Sequence, residues 1–239
     1  MTAASLIEGG AAALCASAGV LAYAVRVPSA SLLAPSACRG VRTRPAIALT
    51  FDDGPSEATP ALLEILARAG VPATFFQCGA NVRRLPAITR DVAAAGHEIG
   101  NHTDTHPMLQ FKPRAYIDRE VAAAQETIEQ FAGSRPRLFR PPYGIRWFGL
   151  AEVQQRHGLT GIMWTTLALD WKLQVHDVAS RLMRGAANGA IFCLHDGRGL
   201  QPRPDVRVTL EAVRAVLPKL MEQGFHFEKV TDILCPTKN

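Results

Sequence analysis

The chain has 239 residues, 48% of them hydrophobic, so it can bury one substantial core and nothing in its length forces a second. Its net charge of +5 is spread over interspersed acids and bases, with no Lys/Arg block and no aromatic–basic interleaving, which excludes nucleic acid as a partner and leaves an anionic cell-envelope surface compatible. Five cysteines, an odd number without Cys-x-x-Cys spacing, exclude a zinc knuckle and a complete disulfide framework.

Residues 1–26 form a hydrophobic N-terminal segment. Gly9 to Val25 is uncharged and dominated by Ala, Leu, Val and Gly, seventeen residues where a spanning helix wants about 20. Met1 to Glu8 lacks the basic start of a secretory signal, so membrane association through residues 7–25 stands beside a soluble packed helix. Arg26, Arg39, Arg42 and Arg44 follow the segment and, by the positive-inside tendency, would hold the domain in the cytoplasm. Residues 27–44, with Pro28 and Pro35, read as an irregular connector.

From residue 45 short β-branched or aromatic runs alternate with longer amphipathic stretches, the pattern of a parallel sheet covered by helices. Strands are expected at Ala46 to Phe51, Ala73 to Gln77, Glu98 to Asn101, Leu138 to Arg140, Gly161 to Thr166, Ala190 to Leu194 and Phe225 to Val230. Seven is near the number that closes a barrel. Helices are expected at Thr59 to Ala69, ended by Gly70, at Pro113 to Phe131, and at Val206 to Gln223. Cys78 and Cys193 fall in strand-like runs, where a thiol behaves as a small buried hydrophobe.

Unusual polar residues gather at the C-terminal ends of these runs: Asp52 and Asp53, His102, Arg140, Asp170, His195 and Asp196. In (β/α) barrels those ends converge on one mouth. Adjacent carboxylates repel, so Asp52 and Asp53 each need a donor or a cation to stay ionised, and a metal resolves the conflict. His102-Thr103-Asp104-Thr105-His106 supplies two imidazoles at a spacing that lets both reach one ion. Asp104 reads as a solvated turn residue, and His97, His157, His176 and His226 read as structural. Arg198, Arg203 and Arg207 read as solvated loop charges, and Asp196-Gly197 as the turn that aims His195.

In order, Thr50-Phe51-Asp52-Asp53-Gly54-Pro55, His102-Thr103-Asp104-Thr105-His106, Arg140-Pro141-Pro142-Tyr143, Asp170-Trp171 and Leu194-His195-Asp196 resemble the five motifs of polysaccharide deacetylases of the NodB-homology type, carbohydrate esterase family four. The resemblance covers roughly residues 45–232 and implies a catalytic domain over 45–235, an α/β fold of distorted (β/α)7-barrel type, with the active site at the strand C-termini. It implies that Asp53, His102 and His106 bind a divalent metal, Zn2+ before Co2+, that Asp52 is the base and that His195 is the acid. It assigns Arg140 to hold Asp52, Asp170 to orient His195, the Tyr143 N–H to the oxyanion, and Trp171 and Leu194 to an apolar pocket for the acetyl methyl.

The chemistry gives this division a reason, because amide hydrolysis needs an activated water, a polarised carbonyl and a proton for the leaving nitrogen. One departure stands out: the family often carries another acid three residues before the Asp-Trp pair, where this chain has Leu167. The implied substrate is an N-acetylated amino-sugar polysaccharide or oligosaccharide, chitin-like or peptidoglycan N-acetylglucosamine, and short inter-motif loops argue against a deep cleft. An O-acetyl polysaccharide esterase and a catalytically silent carbohydrate-binding protein are the rival readings. A monomer at the bacterial cell envelope or membrane is favoured, with the cytoplasm as the other compartment.

Overall fold

Nine strands, all paired in parallel, make the frame of the protein in a computed structural model that describes residues 16–236. They are β1 (Ser36–Ala37), β2 (Ala46–Gly54), β3 (Thr74–Gln77), β4 (Glu98–Asn101), β5 (Leu138–Phe139), β6 (Thr160–Ile162), β7 (Thr166–Leu167), β8 (Ala190–His195) and β9 (His226–Phe227). The order is β1-β6-β5-β4-β3-β2-β8-β7, with β9 on the start of β2. Around them lie α1 (helical over residues 16–26), α2 (Thr59–Ala69), α3 (Gly79–Arg84), α4 (Pro86–Ala94), α5 (Arg114–Ala132), α6 (Leu150–His157), α7 (Val175–Gly185), α8 (Arg207–Glu222) and α9 (Val230–Leu234). The result is a distorted (β/α) barrel.

Strand alternation sorts side chains into two cores. Along β2, Ile47, Leu49 and Phe51 point outward and pack with Leu62 and Leu66 of α2 and Val213 and Leu217 of α8. Ala46 and Ala48 point inward, where Phe76, Leu138, Ile162 and Ile191 meet Val230 and Ile233 of α9. All nine residues of β2 are buried, as a central strand covered on both faces requires. Small inward residues at the start of β2 leave room for α9, which is tied there by a hydrogen bond from the Val230 N–H to the Thr74 hydroxyl at 3.0 Å. With that end plugged, polar side chains accumulate at the other.

Three differences from the sequence expectation have local causes. The run Gly161 to Thr166 is two strands: β6 pairs with β5 and β1, and β7 pairs with β8, so the barrel is completed across residues 163–165 by one stretch of chain that serves both neighbours. The connector contributes β1, whose Ser36 registers with Gly161 and whose Ala37 carbonyl accepts the Met163 N–H at 2.7 Å. The last run shortens to His226–Phe227, because Val230 already begins α9. Of the expected helices, α2 has the expected bounds, and Gly70 caps it in the left-handed region at φ 65.

Among the described residues no helix is long and apolar enough to cross a membrane. The apolar run upstream of residue 16 lies outside the described residues. Where α1 ends, Ala24 and Val25 are buried, and the fully buried Arg146 donates to the carbonyls of Ala30 and Val27 at 2.5 Å each. This guanidinium clamps the N-terminal segment to the loop after β5. Each such charge-assisted bond contributes roughly 1.5–3 kcal/mol. Arg146→Leu should therefore speed limited proteolysis within residues 16–34 by about tenfold or more, and unchanged cleavage would show that the clamp is not what holds the segment.

Candidate active site

Adjacent strand residues face opposite sides, so Asp52 and Asp53 should not share a cavity. A bulge reconciles them. The β2–β3 register shifts between Asp52 and Gly54, and Asp53 takes a left-handed φ of 71, turning its side chain to the same mouth as Asp52. Gly54 and Gly197 allow this arrangement by lacking side chains: a Cβ on Gly54 would lie 2.4 Å from Asp196 Oδ2, and one on Gly197 2.3 Å from the Asp53 carbonyl.

Asp53 Oδ1 lies 2.9 Å from His106 Nε2 and 3.3 Å from His102 Nε2, and the three ligand atoms fall within 4.8 Å of one another. Two of the three are anchored through their other polar atoms. His102 Nδ1 donates to the Arg140 carbonyl at 2.7 Å, which leaves Nε2 as the lone-pair nitrogen, and Asp53 Oδ2 accepts the Gly199 N–H at 2.9 Å. One carboxylate and two imidazoles aimed inward fit a divalent ion with further positions left open. Burial opposes ionisation of Asp53, but the two imidazoles beside it outweigh burial and hold the carboxyl well below the usual range. The His102–His106 segment is a loop, with left-handed Thr103 and His106, fastened by Thr105 and Asp104 N–H groups to Glu120 of α5.

Asp52 has a different neighbourhood. Its Oδ1 accepts from Arg140 Nη1 at 2.7 Å, and its Oδ2 faces the Cys193 thiol at 3.4 Å. Burial keeps that thiol protonated, pushing its pKa well up, so it donates. Across the mouth, His195 Nδ1 pairs with Asp170 Oδ1 at 2.8 Å, while Asp170 Oδ2 takes the His195 N–H and the Thr209 hydroxyl. Burial lowers the His195 pKa, and the Asp170 carboxylate with the Asp53 and Asp52 charges outweighs it, so the net shift is upward. Tyr143, at φ 59, has an N–H that finds no acceptor among the described residues, and its ring meets His106 edge-on at 4.7 Å.

A sequence model described as polysaccharide deacetylase matches residues 39–162 of this chain. A chitooligosaccharide deacetylase of Azorhizobium caulinodans is 35% identical over 198 residues, 79% of this chain and 94% of that protein. The chain belongs to the polysaccharide deacetylase family. A Listeria monocytogenes protein named peptidoglycan-N-acetylglucosamine deacetylase PgdA is 32% identical over 80% of this chain, which spans 39% of that longer protein. Among solved structures, a mutant of a family-four carbohydrate esterase pseudoenzyme from Bacillus anthracis, with restored enzymatic activity, superposes with a TM-score of 0.78 at 30% identity, covering 87% of this chain and 73% of that one.

In this deacetylase a cavity of about 520 Å³ is lined by both Asp52 and Asp53, by His102, His106 and His195, and by Tyr143 and Trp171. Arg140 and Asp170 stand behind the residues they hold, fully or nearly buried. Leu194 is the exception to the sequence expectation. It is 0% exposed and packs outward with the core beneath α2, α7 and α8, because alternation on β8 sends Cys193 and His195 inward and Leu194 the opposite way. The apolar wall is instead Cys193, Leu167, Trp164 and Trp171, the last packed edge-on against His195 at 4.8 Å. The period-two count along β8 was the available signal.

Two further residues differ from their sequence reading, and a third, Asp196, is held more deeply than a turn requires. Arg198 lines the cavity rim rather than standing free in solvent. Asp104 is not free in solvent either: it forms a two-pronged ion pair with Arg83 at 2.7 and 2.9 Å. Asp196 is 1% exposed, held by the Thr59 hydroxyl at 2.5 Å, and burial pushes its pKa up to about 7. The four other histidines stay outside the cavity lining, and the four described cysteines are free thiols. Since Asp170 raises the His195 pKa, the imidazolium persists to higher pH than usual; in Asp170→Asn its NMR titration should move to lower pH, and an unmoved titration would remove Asp170 as the cause.

Proposed function

We propose that the protein removes N-acetyl groups from an amino-sugar glycan of the bacterial envelope, chitin-like or peptidoglycan N-acetylglucosamine. One observation carries this reading: a His-His-Asp trio, an arginine-held carboxylate and a carboxylate-backed imidazole open into one cavity. The substrates named for the relatives support it. A divalent ion on Asp53, His102 and His106, zinc by the nature of the donors, would supply Lewis acidity that polarises a carbonyl and acidifies water.

The chain's own groups do the rest. Asp52, fixed by Arg140 at Oδ1, takes the proton of the attacking water at Oδ2. His195, protonated and oriented by Asp170, delivers its proton to the leaving nitrogen, so the amine departs neutral and acetate forms. The Tyr143 N–H faces the developing oxyanion. The acetyl methyl rests against Trp171, Leu167 and Cys193, a wall that admits a small acyl group. Leu167 contributes there as an apolar surface where an acid often stands in the family.

Acetate release from acetylated chitooligosaccharides and from acetylxylan, with zinc present, tests the reading. Release from the amide substrate is expected; release from xylan alone would make the protein an O-acetyl esterase, and silence on both a binding protein. Asp53→Ala should lose metal and activity together by elemental analysis and assay. Asp52→Asn should keep the metal and lose about 10²–10⁴ in kcat, the usual contribution of a positioned base.

A further inference from the structure

Apolar side chains stand uncovered beside the mouth. Phe111 is 76% exposed, Phe148 59% and Met108 48%. Trp147 joins the two phenylalanines, edge-on to Phe111 at 4.7 Å and to Phe148 at 5.2 Å. These rings ride on the loops after β4 and β5, which also bring His106 and Tyr143 to the cavity. Trp147 follows Tyr143 by four residues, so their Cα atoms are at most about 14 Å apart.

The same loop grips α1. Arg146, immediately before Trp147, gives its N–H to the Val25 carbonyl and its guanidinium to Val27 and Ala30. One to two turns back along α1, Val20 is 58% exposed, Leu21 39% and Tyr23 47%, and Leu32 beyond it is 69% exposed. Scattered exposed apolar residues are ordinary, but a group gathered on one loop and the helix it holds marks a contact surface.

Two observations identify the occupant. Upstream of α1 the sequence stays apolar and uncharged back to Gly9. Exposed cations stand beside the group: Arg26 ends α1, and Lys112, its ammonium over the Tyr116 ring at 5.0 Å, and Arg114 follow Phe111. The nearest acids of α5 are engaged, Asp118 by Arg156 and His157, and Glu120 by the Asp104–Thr105 backbone. Trp and Phe with aliphatics and a basic rim match the interfacial zone of a bilayer bearing anionic headgroups. A platform for stacking sugars alone would call for neither the aliphatic residues nor the cations.

We propose that α1 and the Phe111–Trp147–Phe148 cluster form a docking face for an anionic lipid bilayer surface, which sets the catalytic mouth beside the membrane. The full chain is mixed with phosphatidylcholine vesicles with and without phosphatidylglycerol and sedimented. Binding to the anionic vesicles is expected, with the bound fraction several-fold lower for Phe111→Ser/Phe148→Ser and turnover of soluble chitooligosaccharides unchanged. Brominated lipid should quench tryptophan fluorescence of the wild type and lose most of that effect in Trp147→Phe. Equal binding by the double variant, or equal quenching in Trp147→Phe, overturns the proposal. Unchanged vesicle binding with a raised KM for soluble oligosaccharides overturns it too and gives the rings to glycan stacking. Vesicle binding is read without catalysis, so its failure is separable from failure of the deacetylase reading.

Discussion

Arg140 is the constraint on which the rest of the site depends. Its guanidinium is fully buried at the centre of the barrel, and a buried cation without partners would be prohibitively unfavourable. Its donors go to Asp52, to the Thr50 hydroxyl, and to the carbonyls of Ile162 and Met163, while Phe76 and Trp164 lie at 4.1 and 5.6 Å from its charged carbon. Its own carbonyl fixes the His102 ring. One residue therefore ties the carboxylate on β2 to the imidazole after β4 and to the chain between β6 and β7. The pairing is mutual, since Asp52 supplies the negative charge that makes Arg140 tolerable there.

The second constraint is carboxylate crowding. Asp52, Asp53 and Asp196 are all nearly buried at the same end of the barrel, and each meets a different fate. Asp52 is paired with Arg140, Asp53 with two histidines, and Asp196, which has only hydroxyl and backbone neighbours, is pushed toward neutrality. Three like charges in one place repel; a guanidinium beside Asp52, two imidazoles beside Asp53 and an Asp196 pKa raised to about 7 lessen that repulsion. The glycines at 54 and 197 make the crowding sterically feasible.

Much of this was legible in the sequence, and what was not has definite physical reasons. The five motifs fell at the strand C-termini, and Asp52, Asp53, His102, His106, Tyr143, Trp171 and His195 line one cavity. The bulge at Asp53 was invisible because residue pattern encodes alternation, not its local failure. Helices α3, α4, α6 and α9, of nine residues or fewer, are too short for a 3.6-residue period to show, and α7 was not among the expected helices. Leu194 was placed on the wrong face by following motif likeness instead of the alternation that sends Cys193 inward. Asp196 was legible as a turn residue beside His195, but its burial was not, because that comes from α2 and β2, distant in sequence.

The gap between β6 and β7 gives the barrel a mechanical seam. Neighbouring strands elsewhere around the wall are joined by ladders, whereas no ladder runs between β6 and β7, and the chain between them is held by single hydrogen bonds to other partners: the Met163 N–H to the Ala37 carbonyl, Arg140 to the Met163 carbonyl, and the Thr165 N–H to the Ile191 carbonyl. Trp164 lies on that stretch and lines the cavity, placed by the bonds that fix Met163 before it and Thr165 after it. The apolar wall at Trp164 is thus positioned by β1, by Arg140 and by β8, the same strand that carries His195.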